Sequence, residues 1–401
     1  MRFIILQSGL NDLHSHAFIE TLSWKKACDK LNIETQVFIH KEANSKVKKG
    51  TNGKPHFRYT PMQNIKRDPI SDRLHGFVYF SEAFATDCKN LALELSSNDI
   101  VIIPHTTAKE VYGVSLWMRS IPSKNRPKVI FIFINPDFDW KIDYEKNKVN
   151  GDFSQFRLGA NQLSSLLPKD HVKYFANNPL LAQTMKYVLS QECAICPMTI
   201  DYFSPDELPN QSDDTEWKPA HVGILGEFRI EKGSSIIPQV ITNFCKKEID
   251  KNVFIQVRTR EERKKLQEYI PDIIHNRIQI YHGQLSQRDY LKRLQSLDLL
   301  LMPYLKHRYY LRTSGVFAEA AAYGIPVIVS EGTWMHRMLN NGFGSGIVFE
   351  NLSPSCVCEA LVRASDNLTE LQHKARRGMA KWRKEQSTTA LVEMLASKLN
   401  Q

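Results

Sequence analysis

The sequence predicts an α/β protein made of two parallel-sheet domains, and three observations carry that prediction. Apolar runs of strand length alternate with helix-patterned segments along most of the chain, as βαβ units require. At 401 residues the chain is long enough for two domains that each bury a core. A stretch rich in Pro, Asp and Ser, DYFSPDELPNQSDDTEWKP at 201–219, divides the two series and reads as the linker.

Composition narrows the class. Hydrophobic content of 42% with 24% charged residues fits a soluble globular protein. No apolar run nears the roughly 18 residues of a membrane span. The N-terminus, MRFIILQSG, carries one basic residue and a short apolar run, so it reads as a first strand rather than a signal peptide. A cytoplasmic location is expected. The seven cysteines include Cys193 and Cys196 at redox or zinc spacing, but no second such pair and no His cluster completes a zinc site. Reduced thiols are expected. The net charge of +10 suits nucleic acid, anionic lipid or an anionic small substrate. It is spread over many segments without a nucleic-acid motif, so no nucleic-acid partner is expected.

In the first half, residues 2–6 form a strand, 8–16 a polar loop with His14 and His16, 17–31 a helix and 35–40 a second strand. Residues 41–72 are basic and polar and read as a long surface loop. A helix over 84–95 precedes the apolar strand 99–104. His105 stands just past that strand's carboxyl end, a position for catalysis or for capping the helix 109–118. After strand 128–134 comes Asp137-Phe138-Asp139, paired carboxylates that look like a divalent-ion motif. Three residues recur by chance, and no metal is assigned. Helix 153–166, strand 172–176, helix 179–189 and a short strand at 193–197 complete this half.

The second half opens with the apolar strand 221–226 and the loop Glu227-Phe228-Arg229-Ile230-Glu231-Lys232-Gly233. Arg229 and Lys232 flank a bend held by Gly226 and Gly233. A planar fork beside a mobile point charge suits a diphosphate. Helix 235–247, strand 252–257, helix 261–269 and strand 277–281 follow, the last leading to His282-Gly283. Ser286 caps a helix over 288–297. Then comes the most informative stretch, LDLLLMPYLKHRYYLRTSGVFAEAAAYGIPVIVSE at 297–331. It reads as a buried strand, a basic aromatic loop over 306–313, a helix opened by Ser314-Gly315 and closed by Gly324, and a strand begun by Pro326. The helix start offers free N–H groups and a positive dipole end. Glu319, one turn in, supplies a carboxylate that accepts two hydrogen bonds from a vicinal diol. Phosphate beside ribose means nucleotide. The glycine-rich run 342–349 reads as a structural turn into a late strand, and 355–368 and 371–398 as helices.

Ser314, Gly315, Glu319, Ala320, Gly324, Pro326 and Val327 together resemble the donor-site signature of GT-B-fold glycosyltransferases of the group-1 (family 4) type. The resemblance is strong over 222–329 and topological before 219. It implies a GT-B architecture, two Rossmann-like parallel-sheet domains facing a central cleft. Residues 1–205 would form the acceptor-side domain, 206–219 the linker and 220–375 the nucleotide-sugar donor side. Residues 376–401 would be a helix crossing back to the first domain. The implied activity is transfer of a sugar from a nucleotide-sugar to a carbohydrate or lipid-linked acceptor in glycan or polysaccharide biosynthesis. By resemblance it is retaining and metal-independent, with the nucleotide-sugar as co-substrate and no cofactor.

The site residues carry over one by one. Lys232-Gly233 match the pair that stabilises the leaving diphosphate, with Arg229 standing two residues after the family's usual Arg position, here Glu227. Glu319 matches the glutamate that holds the ribose. The family's other glutamate falls at Leu311, leaving Arg312, Thr313 or Ser314 to serve the sugar. Gly283 lies in the loop that contacts the base. His105 corresponds to a histidine that contacts the transferred sugar, and His16 to a loop over the donor phosphates or the acceptor. A non-catalytic accessory protein that binds sugar-nucleotide or glycan is the alternative, with Leu311 in its favour. Peripheral contact with the cytoplasmic face of a membrane stays open, through the loop 41–72 or the basic face 374–377.

Overall fold

The computed structural model describes residues 2–13, 16–58, 69–136, 140–198, 203–204, 207 and 220–399. The chain divides into two units, Met1–Thr199 with Thr388–Gln401, and Ile200–Ser387. Of the expected linker 206–219, only Glu207 lies within the described residues.

The first unit runs β1 (Arg2–Gln7), α1 (His16–Lys30), β2 (Glu34–His40), α2 (Ser45–Thr51), β3 (Lys54–Phe57), α3 (Pro69–Lys89), β4 (Asp99–Ile103), α4 (Ala108–Arg119) and β5 (Lys128–Phe133). A hairpin of β6 (Lys141–Asp143) and β7 (Lys148–Asn150) leads to α5 (Ser154–Leu166), β8 (Val172–Ala176), α6 (Pro179–Leu189) and β9 (Cys193–Ile195). The main sheet has the order β3-β2-β1-β4-β5-β8-β9, with every neighbouring pair parallel. β4 is buried along its whole length, and only the first residue of β5 is partly exposed. That is why these strands read as unbroken apolar runs.

The second unit runs β10 (Ala220–Ile224), α7 (Ile237–Lys247), β11 (Val253–Val257), α8 (Arg260–Tyr269), β12 (Ile278–His282), α9 (Gln287–Gln295), β13 (Leu297–Met302) and α10 (Lys306–Tyr309). It continues through α11 (Gly315–Tyr323), β14 (Val327–Ser330), α12 (Trp334–Asn340), β15 (Gly346–Phe349), α13 (Pro354–Asp366) and α14 (Leu368–Glu385). Its sheet, β12-β11-β10-β13-β14-β15, is parallel throughout. Val222, Ile255, Leu299, Leu301 and Ile328 from the strands meet Val240, Phe244, Val357 and Leu361 from α7 and α13 in one core. Each such side chain contributes roughly 1.5–3 kcal/mol by leaving water. The last helix, α15 (Thr388–Leu399), packs against α1 of the first unit. Among the described residues no helix is long and apolar enough to cross a membrane.

Both sheets reverse direction in the same way. The chain moves outward from β1 to β3 and returns to β4 beside β1. It moves outward from β10 to β12 and returns to β13 beside β10. The carboxyl ends of β1 and β4, and of β10 and β13, are therefore the switch points where open α/β sheets hold ligands.

Several boundaries differ from the sequence reading. The expected loop 41–72 contains α2, capped by Asn44, and the sheet-edge strand β3. Lys41, Lys46, Lys49 and Lys54 are exposed while Val47 and Phe57 are buried, so charge hid a short amphipathic pattern. Residues 59–68 of that loop lie outside the described residues. The helix expected at 84–95 is α3, which begins at Pro69 and ends at Lys89. The basic loop after β13 contains the single-turn helix α10. The helix expected at 371–398 is two: α14 packs on α11, and a break at 386–387 precedes α15. The glycine-rich run 342–349 is a turn that leads into the late strand β15, as expected. Gly344 (φ +108°) lies so close to Gly378 of α14 that a Cβ on Gly378 would come 2.3 Å from the Gly344 nitrogen.

Candidate active site

The second unit's site gathers at the β10–β13 switch point. Gly226, just past β10, adopts φ +87°, which only glycine takes without strain. Its open face is covered by the Lys232 ammonium, since an added Cβ would lie 2.8 Å from Nζ. A short 3₁₀ turn over Ile230–Lys232 brings the lysine back, and Gly233 (φ +80°) ends it. Gly233 lies against Pro303 at the end of β13, where a Cβ would come 2.2 Å from the Pro303 carbonyl oxygen. Leu305 N–H then donates to Glu231 O at 2.9 Å, tying the two switch-point loops together.

Lys232 Nζ stands 5.4 Å from the Tyr304 ring centroid. Burial pulls its pKa down to about 8, helped by the charges of Arg229 and Arg312 and opposed by Glu231 and Glu319. Glu319 projects from α11 and is buried. Burial pushes it up to about 7, while a hydrogen bond from Tyr290 and the Lys232 charge hold it down. Tyr290 Oη donates to Glu319 Oε2 at 2.7 Å. Ser314 caps α11, accepting from Phe317 N–H at 3.3 Å, and Gly315 is the first helical residue. Gly324, in the left-handed conformation, closes the helix.

The remaining predicted cations behave differently from one another. Arg229 is paired with Glu227 and with Glu231, the latter at 3.4 Å, so both its partners come from its own loop. Arg312 carries its guanidinium 5.5 Å from the Tyr309 ring centroid and within range of the Lys232 charge. Leu311 is buried, so its side chain belongs to the core beneath the site.

Gly283 follows β12 with φ +113°, and its N–H donates to Val257 O. Sequence reasoning missed the residue that joins it to Gly226. Gln256 Oε1 accepts from Gly226 N–H at 2.9 Å, and Gln256 Nε2 donates to Gly283 O at 3.1 Å. The available signal was a polar residue inside the buried run Val-Phe-Ile-Gln-Val of β11. Tyr290 left no such signal, because its partner lies on another helix 29 positions later.

The first unit has its own cluster at the β1–β4 switch point. His105 Nε2 meets Glu20 Oε2 at 2.6 Å, and Gln7 Nε2 donates to the same oxygen at 3.0 Å. Burial pulls the His105 pKa down, but the charge and hydrogen bond of Glu20 outweigh it, with Glu110 adding, and the net shift is upward. His105 does not cap α4. Thr107 does, in a reciprocal box with Glu110. His16 opens α1 and is exposed. Asp137-Phe138-Asp139 lies outside the described residues. Burial pushes the Cys193 thiol up to about 12, which disfavours its thiolate.

An open parallel sheet with a glycine turn, a half-buried lysine and a carboxylate on a capped helix at its switch point offers the groups that suit a nucleotide. Residues 219–367 match the family described as "Glycosyl transferases group 1". No curated protein matches the sequence. Among solved structures, a glycosyltransferase from Rickettsia africae is similar at 13% identity and TM-score 0.61, over 99% of this chain and 98% of that one. Sucrose-phosphate synthase from Thermosynechococcus elongatus is similar at 14% identity and TM-score 0.60, over 99% and 98%. The Anabaena protein HepE in complex with UDP is similar at 10% identity and TM-score 0.57, over the whole of both chains. Residues 219–367 of the second unit thus carry a group 1 glycosyltransferase domain, and the chain as a whole has the fold of these structures, the GT-B fold.

Proposed function

We propose that the chain transfers a glycosyl unit from a nucleoside-diphosphate sugar to a carbohydrate or lipid-linked acceptor, with retention at the anomeric carbon and without a metal, in glycan or polysaccharide biosynthesis. The observation that carries this reading is the placement of Lys232 over Gly226, beside the start of α11 and within reach of the Glu319 charge. In the reaction, the bond between the anomeric carbon and the diphosphate oxygen breaks and its electron pair stays on the diphosphate. Lys232, Arg312 and the N–H groups at Gly315 stabilise that growing charge. The acceptor hydroxyl oxygen bonds to the anomeric carbon, and its proton passes to the departing phosphate oxygen. Glu319 holds the ribose hydroxyls, Gly283 offers backbone groups to the base, and His105, ordered by Glu20, contacts the transferred sugar. Arg229 joins the diphosphate only by exchanging a carboxylate partner for a phosphate.

Thermal melting against a panel of nucleoside diphosphates and their sugars tests the reading, because a ligand that binds the native state raises the melting point. The UDP of the HepE structure makes UDP the first ligand in the panel. The expected result is a rise with one nucleoside diphosphate that is lost in Lys232→Ala and Glu319→Ala. No rise with any of them overturns the donor site. The accessory-protein reading draws on buried Leu311 and on the self-paired Arg229. A clear rise with no transfer or hydrolysis of any donor favours it.

A further inference from the structure

An ionised carboxylate has two oxygens to offer, and a ribose diol needs both of its hydrogen bonds directed. The terminal torsion of a glutamate is broad and does not direct them by itself. At Glu319 one oxygen is already engaged, by Tyr290 Oη at 2.7 Å. The phenol comes from α9 and the carboxylate from α11, elements joined through β13, so the bond is tertiary and not a local turn. Lys232 is the cation whose charge Glu319 feels, yet among the described residues no ion pair joins the two. We infer that Tyr290 is the positioning residue of the donor site: its hydroxyl, by holding one oxygen of Glu319, orients the carboxylate toward the ribose hydroxyls.

This inference rests on the donor-site reading above. The groups that surround the carboxylate are few. Tyr290 faces it from α9, Lys232 from the turn after β10 and Tyr304 from the loop after β13. Tyr323 reaches Tyr290 from α11 itself, and Arg383 of α14 donates to Ala322 O on the same helix. Removing the phenol oxygen therefore removes a hydrogen bond that favours the ionised carboxylate and introduces no new charge.

The test is calorimetric binding of UDP and 2′-deoxy-UDP to the full chain, across pH, for wild type, Glu319→Gln and Tyr290→Phe. Wild type is expected to prefer UDP. Tyr290→Phe is expected to lose on the order of tenfold in that preference, with the acid midpoint of UDP binding moved to higher pH. Pyrophosphate binding should stay unchanged. A core-packing role would lower the melting point without moving the midpoint or the ribose preference. If Tyr290→Phe does not fold, 3-fluorotyrosine at this position keeps the ring with a more acidic donor, and the midpoint must then move to lower pH. Failure of wild type to bind any nucleoside diphosphate overturns the donor-site reading. Wild type binding with a ribose preference that Glu319→Gln loses, while neither change at Tyr290 moves preference or midpoint, overturns the inference alone.

Discussion

Glu319 and Lys232 bring opposite requirements to one site. The carboxylate, raised to about 7, must lose its proton to accept from a diol, whereas the lysine, lowered to about 8, must keep its proton to meet a diphosphate. Nucleoside diphosphate affinity should therefore be greatest between about pH 7 and pH 8 and fall on both sides, measured by calorimetry. Arg312→Ala should weaken UDP more than Arg229→Ala does, by on the order of tenfold, since Arg229 already has two carboxylates; competition binding reads the difference. Lys232, Gly226, Gly315 and Glu319 were legible because backbone-defined loops put their chemistry at fixed offsets from glycines. Gln256, Tyr290 and Glu20 were not legible. Each acts through a partner on a different element, and a single sequence holds no record of such pairings. The cap at Thr107 rather than His105 was readable in hindsight, as Thr followed three residues later by Glu.

At the level of elements, α11 is where sequence pattern and structure agree most closely. Ser314 begins it, Gly324 ends it, and between them the helix is buried almost all round. Ser314→Ala should cost about 1 kcal/mol of stability in urea unfolding and lower UDP affinity as well, because the same turn would bind the phosphates. Gly233→Ala should be more severe, since a strained φ coincides with a clash against Pro303 O. Buried parallel strands were found from apolar runs alone. The misses were elements whose signal is brief or masked: the seven-residue α2 under a run of lysines, and the break between α14 and α15, where no glycine or proline marks the stop.

On the scale of the whole molecule, two sheets of like topology each carry a polar cluster at the switch point, and the last helix belongs to the first unit. Leu391, Val392 and Leu395 of α15 are fully buried. Ending the chain at Ser387 should lower the first unit's stability by several kcal/mol, visible in calorimetry, while the melting rise with UDP survives. The pH dependence of stability has a definite sign. Between 4.5 and about 7 the folded chain retains a proton on Glu319 that the unfolded chain releases, so this group's contribution falls as pH rises through that window. Between about 8 and 10.5 the unfolded chain retains the Lys232 proton that the folded chain releases, so that contribution rises with pH. Gln256 has a consequence of another kind. One side-chain amide spans the loops at Gly226 and Gly283, with its oxygen committed to the first and its nitrogen to the second. Neither loop can shift without breaking the other's bond or turning the amide the wrong way round. The Gly226 and Gly283 loops thus share a single latch, and they should loosen together, with matched hydrogen-exchange rates, rather than one after the other.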